Sequence, residues 1–107
     1  MLKNLTSISP LSNEILSFLN EIVLNDKIER IIVFGSRAIG DYEPYSDLDL
    51  AIDAPSLSKF EWLKIKEFVI YDLKTILRIS LVNYSSNPQK LKERITRTGK
   101  IIYARQS

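Results

Sequence analysis

The feature that most constrains this chain is a pair of segments in its middle. An unbroken apolar run, Ile31-Ile32-Val33-Phe34 behind Arg30, stops at Gly35-Ser36. An alternating segment, Asp47-Leu48-Asp49-Leu50-Ala51-Ile52-Asp53, follows after ten intervening residues. The first is β-branched and aromatic with no polar residue to leave in water, so it reads as a strand covered on both faces. The second has period two apart from the small Ala51, so it reads as a half-buried strand with Leu48, Leu50 and Ile52 inward. Between them, Ser36 to Gly40 reads as a turn with a short helical start, and Asp41 to Ser46, with Pro44, as a loop. Two strands this close commit the middle of the chain to a sheet packed against helices.

The flanking segments supply those helices. Leu11, Ile15, Phe18, Leu19 and Ile22 recur at three- and four-residue steps; Ser9-Pro10 offers a cap followed by proline, and Asn25-Asp26 an end. Lys59 to Asp72 is expected to be a helix whose apolar residues (Phe60, Trp62, Leu63, Ile65, Phe68, Val69, Ile70) spread wider than the stripe of about 100° that a surface helix buries. Part of that face is therefore expected to meet another chain, either a second copy or a helical partner. Ile76 to Tyr84 reads as a third strand. Ser85-Ser86-Asn87-Pro88 reads as a second cap-then-proline start, for a helix that turns Leu91 and Ile95 inward and reaches Gly99. Lys100 to Tyr103 either extends that helix or forms a short edge strand. The element order is α-β-(α)-β-α-β-α. The expected fold class is α/β (α+β): a small mixed sheet of three to four strands packed against helices, in one domain spanning 1–107.

Composition removes whole classes of chemistry. The chain contains no cysteine and no histidine. Disulfides, thiolate nucleophiles, zinc-thiolate sites, Ser-His-Asp hydrolysis and histidine-ligated metals are thereby excluded. Catalysis has to run on carboxylates, lysine, tyrosine, hydroxyls or a hard ion held by oxygen. No apolar run approaches the roughly 20 residues that span a bilayer, and the first ten residues lack a signal-peptide core, so the expected location is cytoplasmic. The net charge of +2 is unevenly spread: residues 1–73 sum to −5 and residues 74–107 to +7. The basic tail carries Lys90, Lys92, Arg94, Arg97, Lys100 and Arg105. It reads either as a solvated helix face or as a surface for phosphates, RNA or an acidic partner. No aromatic platform supports direct nucleic-acid recognition.

Glycine at a strand end allows a sharp turn and a close approach by a phosphate. Ser36 then stands where a hydroxyl and free backbone N–H groups can converge on a triphosphate, and Arg37 would add a fork-shaped cation beside it. Asp47 and Asp49, at i and i+2 of a strand, share one face roughly 6.6 Å apart along the chain. Two such carboxylates repel unless a cation sits between them; a magnesium ion completed by substrate phosphates resolves the repulsion.

Residues 31–53 resemble the signature of the DNA polymerase beta-like nucleotidyltransferase superfamily, and within it the minimal nucleotidyltransferase (MNT) family. The resemblance rests on the hydrophobic strand, Gly35-Ser36, Ala38, Gly40, Ser46, Asp47 and Asp49. It implies a nucleotidyltransferase fold in which Gly35, Ser36, Arg37 and Ser46 belong to the nucleotide site, and Asp47 and Asp49 are catalytic and ligate Mg2+, two ions in the family. It further implies transfer of a nucleotidyl group, adenylyl from ATP, to a hydroxyl, and a small helical partner of the HEPN type in a toxin–antitoxin module. The acceptor there would be a tyrosine of the HEPN toxin. One departure stands out. The family's third carboxylate belongs on the following strand, and here Arg78-Ile79-Ser80-Leu81-Val82 puts Ser80 in its place. Serine cannot take a proton at neutral pH and ligates weakly. Hence the alternative is a catalytically weakened nucleotide- and metal-binding module that acts by contact with its partner. Asp53, further along the same strand, and Asp72, closing a helix, are unsuited to replace the missing group.

Overall fold

A computed structural model describes residues 2–105. Four strands, β1 (Arg30–Phe34), β2 (Leu48–Asp53), β3 (Ile79–Asn83) and β4 (Lys100–Ala104), form one mixed sheet in the order β3-β2-β1-β4. The β1 strand is central and antiparallel to both β2 and β4, whereas β3 runs parallel to β2. The antiparallel β1–β2 pair is joined through the short helix α2 (Ser36–Ile39) and a loop; the parallel β2–β3 pair needs a crossover, supplied by α3 (Lys59–Glu67). The β1 boundaries coincide with the apolar run because Gly35 ends it. The open question at the C-terminal segment resolves as the edge strand β4, whose register on β1 shifts between Ile31 and Ile32.

Both sides of the sheet are covered, as the apolar β1 requires. On one side Ile31, Val33, Leu48, Leu50 and Ile52 pack with Ile15, Phe18 and Leu19 of α1 (Asn13–Ile22), and Trp62, Ile65 and Val69 lean on the same cluster. On the other side Ile32, Phe34 and Ala51 pack under Ile95 of α4 (Gln89–Thr98), with Leu91 beside it.

Three local expectations are corrected. Ser12, not Ser9, caps α1: its side chain accepts from the Ile15 N–H at 3.3 Å. Ser9 is buried instead and meets Arg37, because both serines offer the same capping signal and only packing chooses between them. Pro88 itself is the residue before α4, and the Asn87 side chain donates to the Asn83 carbonyl rather than capping the helix. The long third helix is α-helical only to Glu67; Phe68–Asp72 forms a wider turn of π type. At its N-terminus Ser58 and Glu61 form a reciprocal capping box. Its apolar spread is partly uncovered: Phe60 and Ile70 are 66% and 65% exposed, while Phe68 stacks on Phe18 with ring centres 5.6 Å apart.

Candidate active site

One row of the sheet assembles the site. Phe34 on β1, Asp49 on β2 and Ser80 on β3 are registered partners across three adjacent strands. Strand alternation puts Asp49 on the side of Ala51, the side that α4 covers. Immediately after Phe34, Gly35 takes φ 74° and ψ −157°, a conformation only glycine adopts at low cost. A Cβ on Gly35 would overlap Oδ2 of Asp49. The glycine is thus required twice, by its backbone angles and by the carboxylate against it. Ser36, half-buried, begins α2, whose first turn closes when the N–H groups of Ala38 and Ile39 donate to the Gly35 carbonyl. The N–H groups of Ser36 and Arg37 precede that closure and have no carbonyl to meet within the helix.

Asp47 directly precedes β2 and Asp49 lies within it; both are half-buried. Burial first, and then the charge of Asp47, push the Asp49 carboxyl above the usual carboxylate range; the Arg94 guanidinium on α4 pulls it the other way. The two acids are therefore close enough to feel one another, as the i, i+2 spacing requires, and a cationic side chain from the helix above is within electrostatic reach.

Arg37 is corrected. It is 6% exposed and its donors are taken: Nε donates to the Ser46 carbonyl at 2.8 Å, Nη1 to Ser9 Oγ at 3.2 Å, and Nη2 to the carbonyls of Pro44 and Glu43 at 3.2 and 3.3 Å. Tyr42 covers the guanidinium with its ring. Arg37 therefore holds the 41–46 loop in shape and has little left to offer a phosphate. Ser46 belongs to the same framework, since its hydroxyl accepts from the Glu43 N–H at 2.9 Å. Both residues act on the site indirectly, by fixing the segment that delivers Asp47.

Ser80 stands beside Asp49, on the position where a third carboxylate was sought. Asp53 is at the opposite end of β2, paired with Arg30 Nε at 2.9 Å. Among the described residues no cluster of three acidic or other metal-ligating side chains exists. The donor set for a cation is the Asp47–Asp49 pair alone, a fit for one hard ion whose remaining ligands are water and substrate oxygens. The apolar groove between α1 and α3, lined by Phe18, Ile22, Ile65 and Phe68, lies on the other side of the sheet and takes no part. The basic tail reads in the sequence as a whole; helical spacing alone does not show that Arg94 in particular bears electrostatically on Asp49.

Comparison with known proteins agrees with this fold. The family described as "Polymerase beta, Nucleotidyltransferase" matches residues 13–107. MJ0141 of Methanocaldococcus jannaschii, named as a proposed protein adenylyltransferase, is 40% identical over 65 residues, which are 58% of this chain and 65% of that protein. The chain thus spans just under two thirds of that curated relative. A crystal structure of a toxin–antitoxin with AMP-PNP is similar in fold, with a TM-score of 0.63 and 25% identity over 88% of this chain and 73% of that one. The complex of a tri-AMPylated Shewanella oneidensis HEPN toxin with its MNT antitoxin shares the fold at a TM-score of 0.53 and 23% identity, over 87% of this chain and 74% of that one.

Proposed function

Since the chain belongs to the polymerase beta-type nucleotidyltransferase family, we propose that it binds a nucleoside triphosphate, ATP, and transfers the adenylyl group to a hydroxyl on a protein partner. The observation that supports this reading is the close approach of the Asp49 carboxylate to Gly35, which brings the turn and an acid of the pair side by side. In it the turn at Gly35 and Ser36 receives the β- and γ-phosphates, and Asp47 and Asp49 hold Mg2+. The ion, when bound, neutralises phosphate charge and polarises the phosphorus under attack. The chain's own contribution is to keep the acids rigid, through Leu48 and Leu50 fully buried on either side of Asp49, and to keep the loop before Asp47 fixed through Arg37.

The partner in this reading is a HEPN-type toxin and the acceptor one of its tyrosines, in keeping with the toxin–antitoxin complexes that share the fold. The exposed Phe60, Leu63 and Ile70 supply an apolar surface for a helical partner. The test is a transfer assay with α-labelled ATP, magnesium and a purified HEPN-type protein as acceptor. Label on that partner, lost with Asp49→Asn, is the expected result; an unlabelled partner with a folded, nucleotide-bound chain contradicts transfer. Ser80 beside Asp49 favours a second reading, in which nucleotide and metal binding are retained but transfer is slow and the module acts by contact. Ser80→Asp discriminates: a rise in transfer supports the weakened module, and robust wild-type transfer that the substitution lowers contradicts it.

A further inference from the structure

The charge balance of the site is incomplete as the sequence presents it, and α4 offers what completes it. The arginine beside the turn, Arg37, is buried against loop carbonyls. Arg30 is committed to Asp53. Arg94 is exposed and, among the described residues, makes no ion pair. Its helix is anchored over the site's side of the sheet: Ile95, the next residue, is fully buried against Ile32, Phe34 and Ala51, and Leu91, one turn earlier, packs on the same cluster. Phe34 is the registered neighbour of Asp49, so α4 sits above the row that ends in the acids. Lys90, Arg94 and Arg97 follow one another at helical steps of four and three, forming a basic stripe along one edge of α4.

Resting on the nucleotide-binding reading above, we infer that Arg94 is a triphosphate-binding residue that stands in for the second metal ion, so that this site takes a nucleoside triphosphate with one divalent ion and one guanidinium. The argument is charge equivalence. A second divalent ion with the carboxylate that would hold it adds a single net positive charge to the site. Ser80, neutral, together with Arg94 adds the same net charge. A guanidinium also suits the ligand: its planar fork donates to two phosphate oxygens at once. Ser80 and Arg94 are thus two halves of one arrangement. Neutral Ser80 leaves Asp49 without a second ion to share, and Arg94 supplies the positive charge from α4. Atoms in the transfer step are unaffected; Arg94 binds and orients the substrate and transfers no proton.

The experiment uses the full chain with Mn2+ and a non-hydrolysable ATP analogue. Calorimetry reads nucleotide affinity, and electron paramagnetic resonance counts bound Mn2+. Wild type is expected to hold one ion per chain in the ternary complex. Arg94→Ala is expected to weaken the analogue about 10- to 100-fold with the ion count unchanged. Arg94→Lys, keeping charge but not the fork, should recover part of the loss, and Ser80→Asp should bring the count to two. Arg94 is exposed, and an unchanged melting temperature in Arg94→Ala separates a binding role from a folding one. Two ions in wild type, or an Arg94→Ala affinity equal to wild type, overturns the inference while leaving nucleotide binding intact. Absence of metal-dependent binding in wild type overturns both this inference and the reading on which it rests.

Discussion

Asp49 and Asp53 lie four residues apart on β2, on the same face of the same strand, and the fold treats them in opposite ways. Asp53 is registered opposite Arg30 and forms an ion pair at 2.9 Å, with the Tyr84 ring stacked on the guanidinium. Asp49 is registered opposite Phe34, is pressed by Gly35, and makes no ion pair among the described residues, with burial and then Asp47 raising its pKa against the weaker opposing pull of Arg94. One end of the strand has its charge satisfied within the sheet. The other is left carrying unbalanced negative charge on a rigid base. Under the proposed function, the unbalanced pair is the end of the strand kept for a cation and its ligand.

Substitutions can break or sharpen this contrast. The largest expected effect on stability comes from the framework of the unbalanced end. Arg37→Ala strands the carbonyls of Glu43, Pro44 and Ser46 and should cost about 2–4 kcal/mol, read by chemical denaturation. If Arg37 served phosphate instead, the loss would appear in nucleotide affinity with stability kept. Gly35→Ala should come next, at about 1–3 kcal/mol from its backbone conformation, together with a loss of nucleotide binding because its methyl displaces Asp49. Ordinary stability with intact binding would show that the turn and the acid are not in contact. At the balanced end, Arg30→Ala should cost about 1 kcal/mol or less, since the pair is partly solvated, and leave nucleotide affinity as it was.

The smallest effect is the pH dependence. The pKa of Asp49 is raised in the folded chain, so the folded state holds this proton more tightly than the unfolded one. Its contribution is therefore present below the ordinary carboxylate pKa of about 4 and is lost as pH rises through the elevated value. Thermal melts of the metal-free chain should show that loss, and Asp49→Asn or added magnesium should flatten it. An unchanged profile in Asp49→Asn would mean that Asp49 is not the strained group.

How far the sequence foretold this contrast depends on the range of each interaction. The β1 strand and the two acids were legible because they rest on local signals: an apolar run stopped by glycine, and period-two alternation. The Ser80 position was legible only through the family resemblance, and the strand register then sets it beside Asp49. What the sequence could not distinguish was which arginine met which acid. Arg37 looked like the phosphate ligand because it adjoins Ser36, yet its guanidinium turns toward Ser9, 28 residues away in sequence, and three loop carbonyls. Asp53 is set apart from Asp49 by its distance along the strand, but its ion pair with Arg30 across the strand pair carries no local signal. The start of α1 was misplaced because Ser9 and Ser12 carry the same capping chemistry.

The most direct test of the account compares the two aspartates by one measurement, calorimetric binding of a non-hydrolysable ATP analogue with magnesium and again with chelator. Wild type and Asp53→Asn should both bind and both depend on magnesium, whereas Asp49→Asn should lose affinity by about 100-fold or more while remaining folded. Equal binding by Asp49→Asn and wild type, or an equal loss in Asp53→Asn, would contradict the claim that the unbalanced end of β2 is the nucleotide site.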